Sequence, residues 1–108
     1  MAYYETQAQA SGKKASAGTF QMPSTGNIVT INCGFRPKYI AYFRSGSNAH
    51  GIIYDEDWST TNTFRSTASG ITRGTIGDQN YGINAITSTG FTVRGGVNTG
   101  TFYYFAIG

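Results

Sequence analysis

The residues of this sequence best suited to chemistry lie between positions 50 and 65. Trp58 lies three residues after Asp55 and directly after Asp57. An aromatic ring can stack on the C–H groups of a sugar, while carboxylates, amides and guanidinium groups bond its hydroxyls and fix its orientation. The segment therefore predicts a sugar-binding site, with these candidate residues: His50, Tyr54, Asp55, Asp57, Trp58, Asn62 and Arg65.

A second, shorter set offers the same combination of side chains. It consists of Asp78, Asn80 and Tyr81. A structural interpretation stays open for both sets. Trp58 would then cap the hydrophobic core, and the acids at residues 55–57 would remain solvated at the end of a strand.

Patterns for catalysis and metal binding are weak. Asp55 and Glu56 are adjacent, so on a strand they point to opposite faces and are poorly placed as the carboxylate pair of a glycosidase. Asp55 and Asp57 share a face and offer oxygen ligands to Ca²⁺, but the long acidic loop and distal glutamate of an EF-hand are absent. Cys33 and His50, the only cysteine and histidine, have no spacing typical of a zinc site or of a nucleophile and its base. We therefore predict no catalytic residue, no metal and no cofactor.

The composition is typical of an all-β protein. The chain has 108 residues, enough for one domain with one core. It contains no leucine, and Phe, Tyr and Trp make up 15% of it. Leucine favours helices, whereas aromatic and β-branched side chains favour strands. Thr, Gly, Ser and Asn, which are abundant in the remainder, favour turns and strand faces.

Short strands are predicted between turn signals spaced by roughly 8–12 residues, as is typical of a sandwich. They cover residues 19–22, 28–33, 39–43, 50–54, 63–67, 83–87, 91–94 and 101–107. Residues 68–82 hold four glycines and are predicted to be a loop, with one short strand near residues 75–76. The expected fold is a single-domain antiparallel β-sandwich of jelly-roll type, with about eight strands, over residues 19–108.

The strongest strand prediction falls on residues 39–43, and residues 101–107 are its predicted partner because both runs are aromatic and β-branched. The first run is apolar on both faces. A strand of this kind is covered twice, once by the core of its own domain and once by something else. We expect a second subunit to supply that cover, with Ile40 and Tyr42 at the interface.

Residues 1–18 are predicted to be a flexible arm, since small and polar residues dominate them. Tyr3 and Tyr4 favour an arm that contacts a neighbouring subunit or another protein of an assembly. No apolar run near the amino terminus resembles a signal peptide, and no stretch reaches membrane-spanning length. We therefore expect synthesis in a cytoplasm and no membrane partner.

The charge pattern argues against a nucleic-acid partner. The net charge is +3, yet only 12% of residues are charged. Nucleic-acid binders usually cluster their lysines and arginines on one face or segment, whereas the arginines here are dispersed and only Lys13 and Lys14 are adjacent.

The sequence from Asn27 onward, about three-quarters of the chain, resembles small phage and prophage domains of tail-fibre and other virion-surface proteins, and the resemblance rests on three runs. They are a strand entering Gly34-Phe35-Arg36-Pro37-Lys38-Tyr39-Ile40, a late hairpin Ile86-Thr87-Ser88-Thr89-Gly90-Phe91-Thr92-Val93, and the ending Thr101-Phe102-Tyr103-Tyr104-Phe105-Ala106-Ile107-Gly108. The last is similar to the Tyr-Tyr-x-Ala finish common in that family.

The resemblance implies a β-sandwich displayed on a virion, commonly as a trimer, that adheres to a host-cell glycan or protein. It implies no particular binding residue. The arm would then join the domain to other virion proteins made in the bacterial cytoplasm. Two alternatives stay open: a capsid or tail decoration protein with a purely structural role, and a small glycan-active enzyme.

Overall fold

The computed structural model describes residues 14–46, 50–96 and 98–108. These residues contain nine strands and no helix, and therefore no helix that could cross a membrane. The strands are β1 (Ala15–Met22), β2 (Ile28–Asn32), β3 (Tyr39–Arg44), β4 (Gly51–Asp55), β5 (Asn62–Thr67), β6 (Gly70–Thr75), β7 (Gly82–Ile86), β8 (Gly90–Arg94) and β9 (Gly100–Ile107).

The strands form two antiparallel sheets that share one core. The larger sheet has the order β1-β9-β3-β4-β5-β6, and the smaller sheet has the order β2-β8-β7. Both contribute to the core, which is built from Phe20, Ile31, Ile40, Tyr42, Ile52, Tyr54, Ile83, Phe91, Val93, Phe102 and Ala106. The prediction of a single-domain antiparallel β-sandwich is confirmed.

The predicted pairing of the central strand with the last strand is also confirmed. β3 lies beside β9, and Tyr42 is the direct partner of Tyr104. Phe20 of β1 completes an aromatic cluster, with its ring centroid 5.5 Å from that of Tyr42 and 5.8 Å from that of Phe102. Each such pair contributes about 0.5–1.5 kcal/mol beyond the area that it buries.

The interface prediction for Ile40 and Tyr42 needs correction. Their side chains are 0% and 2% exposed, because this face of β3 points into the core of its own chain. They therefore have no surface to offer to a second subunit. The second apolar face of β3 is formed by the alternate residues Tyr39, Ala41 and Phe43, which are half-buried.

The solvent side of the six-stranded sheet, which we call the outer face, is largely apolar. Its central row of cross-strand partners runs through Ala17, Phe105, Ala41, Ile53, Phe64 and Arg73. Tyr103 is 56% exposed on the next row of this face. Trp58 stacks on Phe64, with 4.2 Å between their ring centroids. Accessible aromatic side chains thus cover much of the outer face.

Two predicted segments differ from the structure. β1 begins at Ala15 and pairs with β9 along its whole length, so the end of the predicted arm belongs to the sheet. Tyr3 and Tyr4 lie outside the described residues. The predicted loop over residues 68–82 contains β6, which forms a hairpin with β5. This edge strand is held by backbone pairing and not by burial, since most of its residues are exposed.

Cys33 is half-buried and packs against the core. Burial raises the pKa of its thiol, and a hydrogen bond with Ser16 opposes this shift less strongly. Because the thiolate is the nucleophilic form, Cys33 is poorly reactive at neutral pH.

Candidate functional site

A pocket of about 100 Å³ opens at the end of the sandwich where β4 begins. Its walls come from β4, β5, the loop before β7 and the loop after β8. Ile52 and Arg65 are direct cross-strand partners, so their side chains lie on the same face of the sheet. Ile52 is buried in the core, and Arg65 therefore points inward, beside the space between the two sheets.

The floor of the pocket is mostly apolar. It includes Met22, Ile52 and Phe102, together with the ring of Tyr42. Burial raises the pKa of Tyr42 well above its ordinary value, while the charge of Arg65 lowers it and that of Tyr81 raises it further. The Tyr42 hydroxyl is therefore neutral at physiological pH.

Arg65 is the central charged group of the pocket. Its guanidinium carbon lies 4.1 Å from the ring centroid of Tyr81, which is a cation–π contact. Its Nη2 is 3.5 Å from Oδ2 of Asp78, so the ion pair is long and weak. A Cβ atom on Gly74 would lie 3.1 Å from this Nη2, and the glycine gives the guanidinium room to lie along the sheet.

Asp78 is held in a fixed orientation beside Arg65. The backbone N–H of Asn80 donates a hydrogen bond of 2.7 Å to Oδ1 of Asp78. This bond is the main reason why the pKa of the Asp78 carboxyl is lowered; burial opposes the shift, and Arg65 adds to it. The carboxylate is therefore charged at neutral pH and available as an acceptor next to the Arg65 donor.

The rim of the pocket carries a histidine and an amide. Nδ2 of Asn98 lies 3.3 Å from Nδ1 of His50. Gly82 keeps the adjacent wall open: its φ is +115°, a conformation that favours glycine, and a Cβ atom there would lie 3.1 Å from Ile52 Cδ1.

Arg94 lies at the edge of the pocket but directs its guanidinium elsewhere. Arg94 follows the buried Val93 on β8, so its side chain points to the opposite face of the strand. It donates hydrogen bonds of 3.2 Å to the Gly26 carbonyl and to Asn84 Oδ1. Within the described ranges, the buried Nε atoms of both Arg65 and Arg94 have no hydrogen-bond partner. A buried donor without a partner typically costs about 1–3 kcal/mol.

The structure brings together residues from both candidate sets. His50, Arg65 and Tyr81 line the pocket. Asp78 contacts Arg65, and Asn80 orients Asp78. The two sets, separated by more than ten residues in the sequence, therefore form one cluster.

The other predicted ligand residues lie away from the pocket. Tyr54 is 1% exposed and belongs to the core, which leaves it no surface for a ligand and corrects its prediction. Asp55 stabilises the turn after β4, where its Oδ1 accepts a hydrogen bond of 2.9 Å from the backbone N–H of Asp57. Trp58 follows this turn at the opposite end of β4 from His50, and it stacks on the outer face.

Asn62 also has a local role in the structure. Its backbone N–H donates a hydrogen bond of 3.1 Å to Ser59 Oγ, and its side-chain amide reaches the same atom at 3.4 Å. These contacts close the turn that leads into β5. Nothing in this geometry connects Asn62 with the pocket.

Sequence reasoning did not identify several pocket residues. Thr67 lies two residues after Arg65 on β5 and therefore on the same face of the strand. This period of two could have identified Thr67 from the sequence. Asn98 lies in the connection between β8 and β9, where no periodicity points to a site. In the sequence, Met22 and Phe102 have the pattern of ordinary core residues. Only the folded chain shows that the pocket opens beside them.

In the part of the chain that the structure describes, no three His, Cys, Asp or Glu side chains lie close enough to hold a metal ion. No protein-family model, curated protein or solved structure matches this chain. The resemblance to phage domains therefore stays a prediction.

Proposed function

We propose that this protein is an adhesion module on the surface of a virion that binds a host-cell glycan through the pocket around Arg65. The observation that carries the proposal is the combination of Arg65, Tyr81 and Asp78 beside an apolar floor. A guanidinium donor next to a carboxylate acceptor suits the hydroxyls of a sugar, and the apolar floor suits its C–H groups. Most ligand sites have this composition, with a few polar groups set in an apolar surface.

The pocket favours binding over catalysis. In the described residues, one carboxylate, Asp78, lies beside it, whereas glycoside hydrolysis typically uses two. The Asp78 carboxylate accepts a hydrogen bond from the Asn80 N–H and pairs with Arg65, and its pKa is lowered. A general acid needs the opposite shift, because it must hold a proton at neutral pH.

We propose that the protein acts as a homo-oligomer, with three copies packed through the outer face. With strands about 4.8 Å apart and residues about 3.3 Å apart, one face of six strands of about five residues covers roughly 480 Å², polar positions included. The largest apolar patch on a protein surface commonly spans about 300–600 Å² and is often a functional surface. Among the residues that the structure describes, strand alternation gives the outer face one carboxylate, Asp55, and one guanidinium, Arg73. Because the face has so few charges, a second copy of the same face is the partner that fits.

Such an assembly would leave the pocket of each copy open to a ligand. Three outer faces grouped around a three-fold axis would cover one another, while the pockets lie on the inner side of each sheet and stay open. Several weak sites on one particle gain avidity without any new contact. The arm remains the proposed link to other virion proteins; because Ala15 already belongs to β1, a deletion that tests it should end at residue 13.

The proposal is tested with a labelled, full-length protein on an array of bacterial surface glycans. We expect specific binding that Arg65→Gln reduces at least tenfold and Arg36→Gln leaves unchanged. Arg36 is the matched control, since it is an exposed arginine that precedes β3, at the other end of the sheet. Trp58→Ala should also bind normally.

Two results would contradict the proposal. Binding lost in Trp58→Ala but retained in Arg65→Gln would move the site to the outer face. Absence of binding to every glycan, together with intact attachment to particles, would favour a purely structural decoration protein.

A further inference from the structure

The size of the pocket limits what can enter it. A cavity of about 150 Å³ binds benzene, which has six non-hydrogen atoms. By the same proportion, a volume of about 100 Å³ holds roughly four such atoms. A whole hexose ring therefore does not fit, and the pocket is suited to one substituent that projects from a larger ligand.

The lining of the pocket further limits the chemistry of that substituent. Met22, Ile52 and Phe102 present an apolar floor, and they favour a group that ends in a methyl. The Arg65 side chain is 17% exposed, against 3% for Ile52 and for Phe102, so its N–H donors lie nearer the solvent than the floor does. Together with the amide of Asn98 at the rim, they favour a carbonyl oxygen above that methyl. The occupant must therefore be apolar at its inner end and polar at its outer end.

Two simpler substituents satisfy only half of this requirement. A carboxylate would lose its hydration against the apolar floor, and Asp78 already supplies a negative charge beside Arg65. A hydroxymethyl group would bond the rim, but it would bring a hydroxyl and no methyl toward Phe102.

We infer that the pocket binds the acetamido group of an N-acetylated sugar. This group has four non-hydrogen atoms, a methyl for the floor, and a carbonyl that accepts from Arg65. Its N–H lies at the outer end, toward the rim formed by His50 and Asn98. The inference rests on the proposed glycan-binding function and adds the class of sugar that is recognised.

The test compares methyl glycosides of N-acetylglucosamine, N-acetylgalactosamine, glucose, galactose and glucuronic acid, each titrated against the full-length protein by NMR. We expect at least one acetylated glycoside to bind at least tenfold more tightly than its unacetylated counterpart. Saturation transfer from the protein should be strongest at the acetyl methyl.

Two variants test whether the acetyl group binds in the pocket. Arg65→Gln should weaken binding of the acetylated glycoside at least tenfold, and Asn98→Ala, which alters only the rim, should weaken it about fivefold. Both should weaken binding of the unacetylated sugar less, because that sugar has no acetamido group to lose contacts with Arg65 and Asn98. A normal circular dichroism spectrum confirms that each variant is folded.

The failures of the two proposals are distinguishable. Equal affinity for glucose and N-acetylglucosamine glycosides, or tighter binding of the glucuronide, would overturn the acetamido inference and leave glycan binding intact. Acetyl-dependent binding that survives Arg65→Gln would also overturn it. If none of the glycosides and no glycan on the array binds, both proposals fail.

Discussion

The guanidinium of Arg65 lies over the ring of Tyr81, with 4.1 Å between its carbon atom and the ring centroid. This contact joins β5 to the loop before β7, and so connects the six-stranded sheet with the entry to the three-stranded one. It also fixes one wall of the pocket. Arg65 therefore has a structural role that can be measured without any ligand.

We expect Arg65→Gln to lower the free energy of unfolding by about 1 kcal/mol. The cation–π contact contributes about 0.5–1 kcal/mol, and the long, partly exposed ion pair with Asp78 adds a fraction of that. Urea unfolding measures the change. Arg36→Gln should stay within about 0.5 kcal/mol of the wild type, as is usual for exposed positions. Equal stability of the two variants would show that the contact with Tyr81 does not stabilise the fold.

The lowered pKa of Asp78 predicts how stability changes with pH. The folded state favours the charged carboxylate, so this contribution is fully present above the unfolded pKa of about 4 and is lost as the pH falls through the lower folded value. Asp78→Asn keeps an acceptor for the Asn80 N–H but has no charge. We expect wild type to be more stable than Asp78→Asn at pH 7, and the difference to shrink below about pH 4. A difference that stays constant down to pH 2 would contradict this assignment.

Self-association should depend on the outer face. Tyr103 is exposed there, and Tyr103→Lys places a charge within the apolar surface. We expect this variant to be a monomer, while the wild type has the mass of three chains in light scattering coupled to gel filtration. Thr30→Lys is the control, because Thr30 is exposed on β2 of the other sheet. A wild-type monomer, or an oligomer that survives Tyr103→Lys, would exclude the outer face as the interface.

The substitution Ile40→Ala tests whether Ile40 is a core residue or an interface residue. It is fully buried within one chain, so Ile40→Ala should lower the free energy of unfolding by about 2–5 kcal/mol. If the variant is still folded at low temperature, its oligomeric mass should match that of the wild type. Normal stability combined with dissociation would instead restore Ile40 to the interface.

The fold was predictable because hydrophobic periodicity and turn residues describe it well. The pairing of β3 with β9 followed from two aromatic, β-branched runs. The same pattern could not show which face of β3 is inward, since Tyr39 and Phe43 are as apolar as Ile40 and Tyr42. β6 was missed because it lacks an alternating apolar face: Ile71, its one large apolar residue, is 73% exposed.

The sequence predicted individual residues of the site, but it did not predict that they lie together. Arg65 and Tyr81 each carry suitable chemistry, and each was identified, but in different sets. Their contact depends on how the two sheets come together, which brings Arg65 of β5 against Tyr81 just before β7. Trp58 was favoured because acids surround it in the sequence. In the structure those acids shape a turn, and the tryptophan packs on Phe64.

The most direct test of the account maps where a sugar binds. The ¹⁵N-labelled, full-length protein is titrated with the methyl glycoside of N-acetylglucosamine, and with whichever array glycan binds best, while backbone amide shifts are recorded. We predict that residues 50–52, 65–67, 81–82 and 98 shift together along one saturation curve, and that residues 55–58 do not. Shifts centred on residues 55–58, or none with any glycan, would contradict a binding site at the Arg65 pocket.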